Sequence, residues 1–214
     1  MQNNLIKISI IYTAFCLNII AITAQKKVWY SPSKIDFSYG YGNQEEPFLH
    51  NKDYDYNTNL FKLQFYYLLK SGKFDLDLVF EPTLGFAEHQ LLNEHFVKPI
   101  EPDYISRREE FTKKKQLREY ILSTSLIVRY TIYKSTNIYA LIGIGPMYLS
   151  KRTERLPKGF GFVEIVGLGI TTKIYKNLYF DIRGLYRHLS NAELNQPNSG
   201  INIAALELGF IIDL

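Results

Sequence analysis

Hydrophobic and polar residues alternate with a period of two in eight stretches of this chain, and the clearest is Leu178–Ser190. One face of it carries Leu178, Phe180, Ile182, Gly184, Tyr186, His188 and Ser190, and the other Tyr179, Asp181, Arg183, Leu185, Arg187 and Leu189. Successive side chains leave a strand on opposite faces, so this pattern predicts a β-strand with one apolar and one charged face. The same reading predicts strands over about 33–42, 58–70, 73–87, 117–133, 137–149, 160–173, 177–190 and 201–214. In the third, Phe74, Leu76, Leu78, Phe80, Leu84 and Phe86 oppose Lys73, Asp75, Asp77, Glu81 and Thr83. In the last, Leu206, Leu208, Phe210, Ile212 and Leu214 oppose Glu207, Gly209 and Asp213.

The lengths of the connections give the order its direction. Short links at 70–73, 133–137 and 173–177 alternate with long ones at 42–58, 88–116, 149–160 and 191–200. An up-and-down barrel of the outer membrane has short periplasmic turns and long external loops, and this chain reads that way. The predicted fold is therefore all-β, an eight-stranded antiparallel up-and-down transmembrane β-barrel. The charges at Asp75, Asp77, Glu81, Arg129, Asp181, Arg183, Arg187 and Glu207 would then point inward and fill a barrel too narrow for a pore. A soluble lipocalin-like barrel shows the same alternation with the faces reversed. What tips the reading toward the membrane is the start of the chain, together with the loop pattern.

Residues 1–25 read as a secretory signal peptide, with Lys7, an apolar run from Ile8 to Ile22, and small residues Thr23 and Ala24 before Gln25. Residues 26–214 form the barrel domain. The sole cysteine, Cys16, falls in the leader, so no disulfide framework is expected in the mature chain. The 17 Tyr and 14 Phe suit the aromatic girdles of a membrane barrel. A formal charge of +4 is too small to point to nucleic acid.

His188 and Ser190 lie on one face of the seventh strand, at its outer end, with Cα atoms about 6.5–7 Å apart. An imidazole there can reach the hydroxyl and turn a weak nucleophile into an effective one. His-x-Ser alone is a weak signal, equally consistent with an interfacial histidine beside a strand-end serine. The run from His188 through Ser190-Asn191-Ala192, then Gln196-Pro197-Asn198, then Gly200-Ile201, is far more specific. It resembles the active-site segment of the PagL-type lipid A 3-O-deacylases, which are eight-stranded outer-membrane barrels carrying a Ser-His-Glu triad on their lipid-facing surface.

The resemblance implies a cofactor-free esterase, without metal, that removes the 3-O-linked acyl chain of lipid A, its lipopolysaccharide substrate lying in the outer leaflet; a homodimer is left open. It implies Ser190 as nucleophile, His188 as general base, and Asn191 and Asn198 as donors to the oxyanion. Turn-building is the alternative role for both asparagines. The carboxylate of the triad falls at Asn202, an amide. Loss of that charge implies either reduced activity or a carboxylate from elsewhere. Glu164 on strand six is the first candidate: a tight 173–177 turn sets Phe162 opposite His188 and Glu164 diagonal to it. Glu193, in the following loop, is a weaker one.

Two basic clusters, Arg107, Arg108, Lys113, Lys114, Lys115 and Arg118 in one external loop and Lys151, Arg152, Arg155 and Lys158 in the next, could pair with phosphates or remain solvated. Glu88-His89 and Glu94-His95 do not have the spacing of a metal site. The rival readings are a non-catalytic structural or adhesive barrel and an esterase acting on phospholipid. The non-catalytic barrel does not account for the His-x-Ser-Asn…Gln-Pro-Asn run, and the phospholipid esterase would usually need a metal or a dimer to assemble its site, which nothing in the sequence indicates.

Overall fold

In the computed structural model, residues 31–44 and 53–214 are described. The predicted leader, with Cys16, lies outside them. Eight strands occupy Lys34–Asn43 (β1), Tyr54–Lys70 (β2), Asp75–Leu91 (β3), Lys115–Tyr133 (β4), Thr136–Leu149 (β5), Gly159–Tyr175 (β6), Leu178–Ser190 (β7) and Ile201–Asp213 (β8). Each pairs antiparallel with its neighbours in sequence, and β1 pairs with β8 to close the ring. Closure leaves no sheet edge, which a strand crossing hydrocarbon requires, since lipid offers nothing for an open N–H or C=O to bond.

The outward face is apolar and the inward face polar. Leu168, Ile170, Ile182, Leu206, Leu208 and Phe210 are exposed. Asp36, Lys62, Glu81, Arg183, Arg187 and Glu207 are buried inside. In water this would be an inverted protein, but in a bilayer the outward side chains meet acyl tails. Exposed aromatics mark both ends of the wall, with Phe86, Tyr120 and Tyr148 toward the long loops and Phe74, Tyr130 and Phe210 toward the short turns.

The interior charges neutralise one another in pairs. Lys62 Nζ lies 2.8 Å from both Glu81 and Glu207. Arg183 reaches Asp36 at 2.5 Å and Asp181 at 2.9 Å, and Arg187 reaches Glu119 at 2.8 Å. Arg129 sits 3.4 Å from Asp77. Burying a charge without a partner costs several kcal/mol, so satisfied pairs are what let so polar a lumen close without a pore. Asp75 departs from the predicted set. It is half-buried at the short-turn rim, where its carboxylate accepts from Ser71 Oγ and Gly72 N.

Two further departures have clear causes. β2 begins four residues before the predicted 58, and β3 ends four after the predicted 87. Tyr54, Tyr56, His89 and Leu91 keep the inward alternation and are buried at the long-loop end of the barrel. The 88–116 connection also carries structure of its own, a short 3₁₀ turn Glu94–Phe96 and a helix Tyr104–Phe111 (α1), with Leu91, Val97 and Phe111 packed as a small separate core.

Candidate active site

β7 places His188 between two neighbours. Pairing with β8 sets Asn202 directly opposite it, and pairing with β6 sets Glu164 opposite it on the other side. The predicted register paired Phe162 with His188, but Phe162 faces Ser190. The difference of two residues arises at the hairpin. β6 runs on to Tyr175 through an irregularity after Lys173, and the turn tightens to Lys176-Asn177, with Lys176 in the left-handed region at φ 31°. An even shift keeps the faces unchanged, so Glu164 stays outward and exposed.

His188 Nδ1 lies 2.5 Å from Asn202 Oδ1. An amide oxygen can only accept, so Nδ1 carries the proton and Nε2 keeps its lone pair. Ser190, half-buried, shares the outward face with His188 two residues further along β7. Among the described residues neither the Ser190 hydroxyl nor the Glu164 carboxylate has a hydrogen-bond partner. Glu164 is thus a neighbour of the histidine and does not bond to it.

The loop after β7 folds through its two asparagines. Asn191 Nδ2 donates to the carbonyls of Asn195 at 2.7 Å and Pro197 at 3.3 Å. Its backbone N–H donates to Asn198 Oδ1 at 2.9 Å. Asn191 is buried and its donors are bonded within the loop, the arrangement that the turn-building role describes. The Asn198 amide nitrogen keeps its protons, because the loop bond uses its oxygen. Glu193 is exposed, in a left-handed turn with Ala192, and is not brought to His188. Gly200 closes the loop at φ +67°, and a Cβ there would stand 2.6 Å from His188 Cε1.

The predicted basic clusters are largely consumed in ties between loops. Arg107 pairs with Glu101 at 2.6 Å, Lys114 with Glu88 at 2.5 Å, and both Lys115 and Arg152 with Glu110. Hydrogen bonding to Arg152, then to Lys115, holds the Glu110 carboxyl below its ordinary range. Arg108 donates to the Val97 carbonyl, and Arg155 is buried. Arg118, Lys113, Lys151 and Lys158 form no ion pair among the described residues. His89 is also buried, 3.0 Å from Glu154, and faces the interior. Glu154 and Tyr54 escaped the sequence reading, and Arg155 entered it only as one member of a basic loop cluster, because only the closed ring brings the three together.

A closed eight-strand barrel with an apolar outer wall and a polar lumen defines an outer-membrane β-barrel. The model of the lipid A 3-O-deacylase (PagL) family matches residues 19–210. The chain belongs to that family, whose members remove the 3-O-linked acyl chain of lipid A in the outer membrane. Among solved structures it is similar to the outer-membrane enzyme PagL, with 15% identity, a TM-score of 0.51, and 85% of this chain and 99% of that one covered. It is also similar to OprG of Pseudomonas aeruginosa, with 9% identity, a TM-score of 0.48, and 86% and 96% covered. No curated protein matches the chain.

Proposed function

We propose that this barrel deacylates lipid A with Ser190 as nucleophile and His188 as general base. The observation that carries the reading is the 2.5 Å contact from His188 Nδ1 to Asn202 Oδ1, which fixes the tautomer with Nε2 as the basic nitrogen on the face that Ser190 shares. Ser190 Oγ attacks the ester carbonyl carbon while Nε2 takes its proton. The oxyanion accepts a hydrogen bond from Asn198 Nδ2. Collapse breaks the C–O bond to the sugar, and His188 returns its proton to the departing sugar oxygen. Water then attacks the acyl-serine, with His188 again taking and returning a proton, and the fatty acid leaves. Hydroxyl–imidazole bonds of this kind are commonly loose until substrate is bound, so a Ser190 hydroxyl with no partner among the described residues suits the reading.

The position of the family's carboxylate holds an amide, and the two functions of a triad acid are divided here. Asn202 orients the ring. Glu164, opposite His188 on β6, supplies negative charge beside the imidazolium as it forms. Directly opposed residues of an antiparallel pair have Cβ atoms about 4.5–5.5 Å apart, close enough for that charge to matter at a lipid-facing surface. An apolar cleft of about 680 Å³ whose lining includes Leu168, Ile182 and Gly184 lies further along the same outer wall and offers a path for an acyl chain. All these residues belong to one chain, so the proposed chemistry makes no demand for a homodimer.

Treatment of the detergent-folded barrel with a fluorophosphonate, followed by peptide mass spectrometry, tests the nucleophile. The adduct is expected on Ser190 and absent from the His188→Ala variant. An adduct confined to another serine overturns the assignment.

A further inference from the structure

Inside the barrel mouth, Arg155 joins the loop between β5 and β6 to the catalytic loop between β7 and β8. Its Nη1 donates to the carbonyls of Ser199 at 3.5 Å and Gly200 at 3.4 Å. Its own carbonyl accepts the Ser199 N–H at 3.0 Å. The guanidinium is held between two rings, 4.1 Å from the centroid of Tyr54 and 4.6 Å from that of Phe96. Asp53 and Glu154 lie 3.9 and 3.8 Å away.

Three observations connect this cluster to the chemistry on the opposite side of the wall. Gly200, which Arg155 grips, lies so close to His188 that its missing Cβ would come within 2.6 Å of the imidazole. The Tyr54 hydroxyl, under the guanidinium, accepts the backbone N–H of Asn202 at 3.4 Å. Glu154, the neighbour of Arg155, is fixed to β3 through buried His89 at 3.0 Å. The loop carrying Arg155 is therefore anchored on one wall of the barrel and holds the segment that packs on His188 at the other.

We infer that Arg155 is a positioning residue for the deacylation site, acting from inside the barrel through Ser199 and Gly200 to hold the His188 imidazole against Asn202. The inference rests on the assignment of His188 and Ser190 as base and nucleophile. Arg155 touches no reacting atom, and its effect runs through the placement of the ring. Because about 1 Å of misplacement can cost a hundredfold in rate, loss of this grip lowers turnover while leaving the outer face that meets the lipid unchanged.

The experiment uses the full-length barrel folded in detergent, with purified lipid A as substrate, and compares the parent with Arg155→Ala, Arg155→Lys and Ser190→Ala. Folding is read from the heat-dependent shift in gel mobility that closed barrels show. Folded Arg155→Ala is expected to lose about tenfold to a hundredfold in kcat with KM within twofold of the parent, and Arg155→Lys to recover part of the loss. Arg152→Ala, at an exposed loop tie, is expected to match the parent. A folded Arg155→Ala with parental kcat, beside an inactive Ser190→Ala, overturns the role of Arg155 alone. A Ser190→Ala variant as active as the parent overturns the site assignment and this inference with it. Where the alanine variant fails to fold, Arg155→Met fills the slot between Tyr54 and Phe96 without donors, and the same two kcat results decide.

Discussion

His188 and Asn202 face each other across the β7–β8 pair and meet at 2.5 Å, an imidazole N–H on an amide oxygen at the position where the sequence resemblance implies a triad carboxylate. The amide reproduces the direction of the bond but not its charge. Hydrogen bonds to charged groups are worth about 1 kcal/mol more than neutral ones, and about 1.4 kcal/mol is a factor of ten in rate. Asn202→Asp is therefore expected to raise kcat about three- to tenfold, and Asn202→Ala to lower it by tenfold or more. Steady-state kinetics on lipid A measure both; an aspartate variant slower than the alanine one would count against Asn202 as the orienting group.

Glu164 is expected to act through charge alone. Glu164→Gln should lower kcat about threefold to tenfold at constant KM, and Glu164→Asp should restore part of it, on the ordinary scale of a partly screened charge pair. An unchanged kcat in Glu164→Gln would leave Asn202 as the sole partner of the histidine.

Gly200 has two reasons to be glycine, a φ of +67° and the proximity of His188. In Gly200→Ala the added methyl group displaces the ring by a fraction of its own size. Turnover is expected to fall about a hundredfold while the barrel still folds. Gel mobility and kinetics on one preparation separate the two effects.

The lumen makes a prediction about stability. Lys62→Met leaves Glu81 buried without its cation and Glu207 with only Arg183 at 3.6 Å, and breaking such a pair costs about 3–5 kcal/mol. Urea unfolding in detergent should show that loss. Replacing all three residues together, Lys62→Met, Glu81→Leu and Glu207→Leu, should recover most of it, since a fully apolar replacement strands no charge.

How far the sequence revealed this site depended on which interactions were local. Period-two alternation located all eight strands, because lipid outside and a salted lumen inside impose the same rule on every residue between the loops. Ser190 and His188 were visible because two residues along one strand always share a face. The Glu164–His188 pairing was legible only in face and not in register, since it turns on one irregularity near Lys173 and a two-residue turn at Lys176-Asn177. Asn191 resembled a site residue because the motif spaces it beside Ser190, yet its protons go to Asn195 and Pro197. The basic loop residues looked available because their acidic partners, Glu88, Glu101 and Glu110, are distributed through the same loops without periodicity. Arg155 was legible only as a member of a basic loop cluster and not in its place beside Tyr54 and Gly200, because those contacts depend on the closure of the ring.

The most direct measurement is mass spectrometry of lipid A from cells producing this barrel, set beside cells producing Ser190→Ala at equal levels of folded protein in the outer membrane. Loss of one acyl chain, with the mass of the 3-O-linked hydroxyacyl group, is expected with the parent only, since removing the nucleophile of a triad typically leaves about 10⁻⁴ or less of the rate. The same loss with Ser190→Ala would contradict the account.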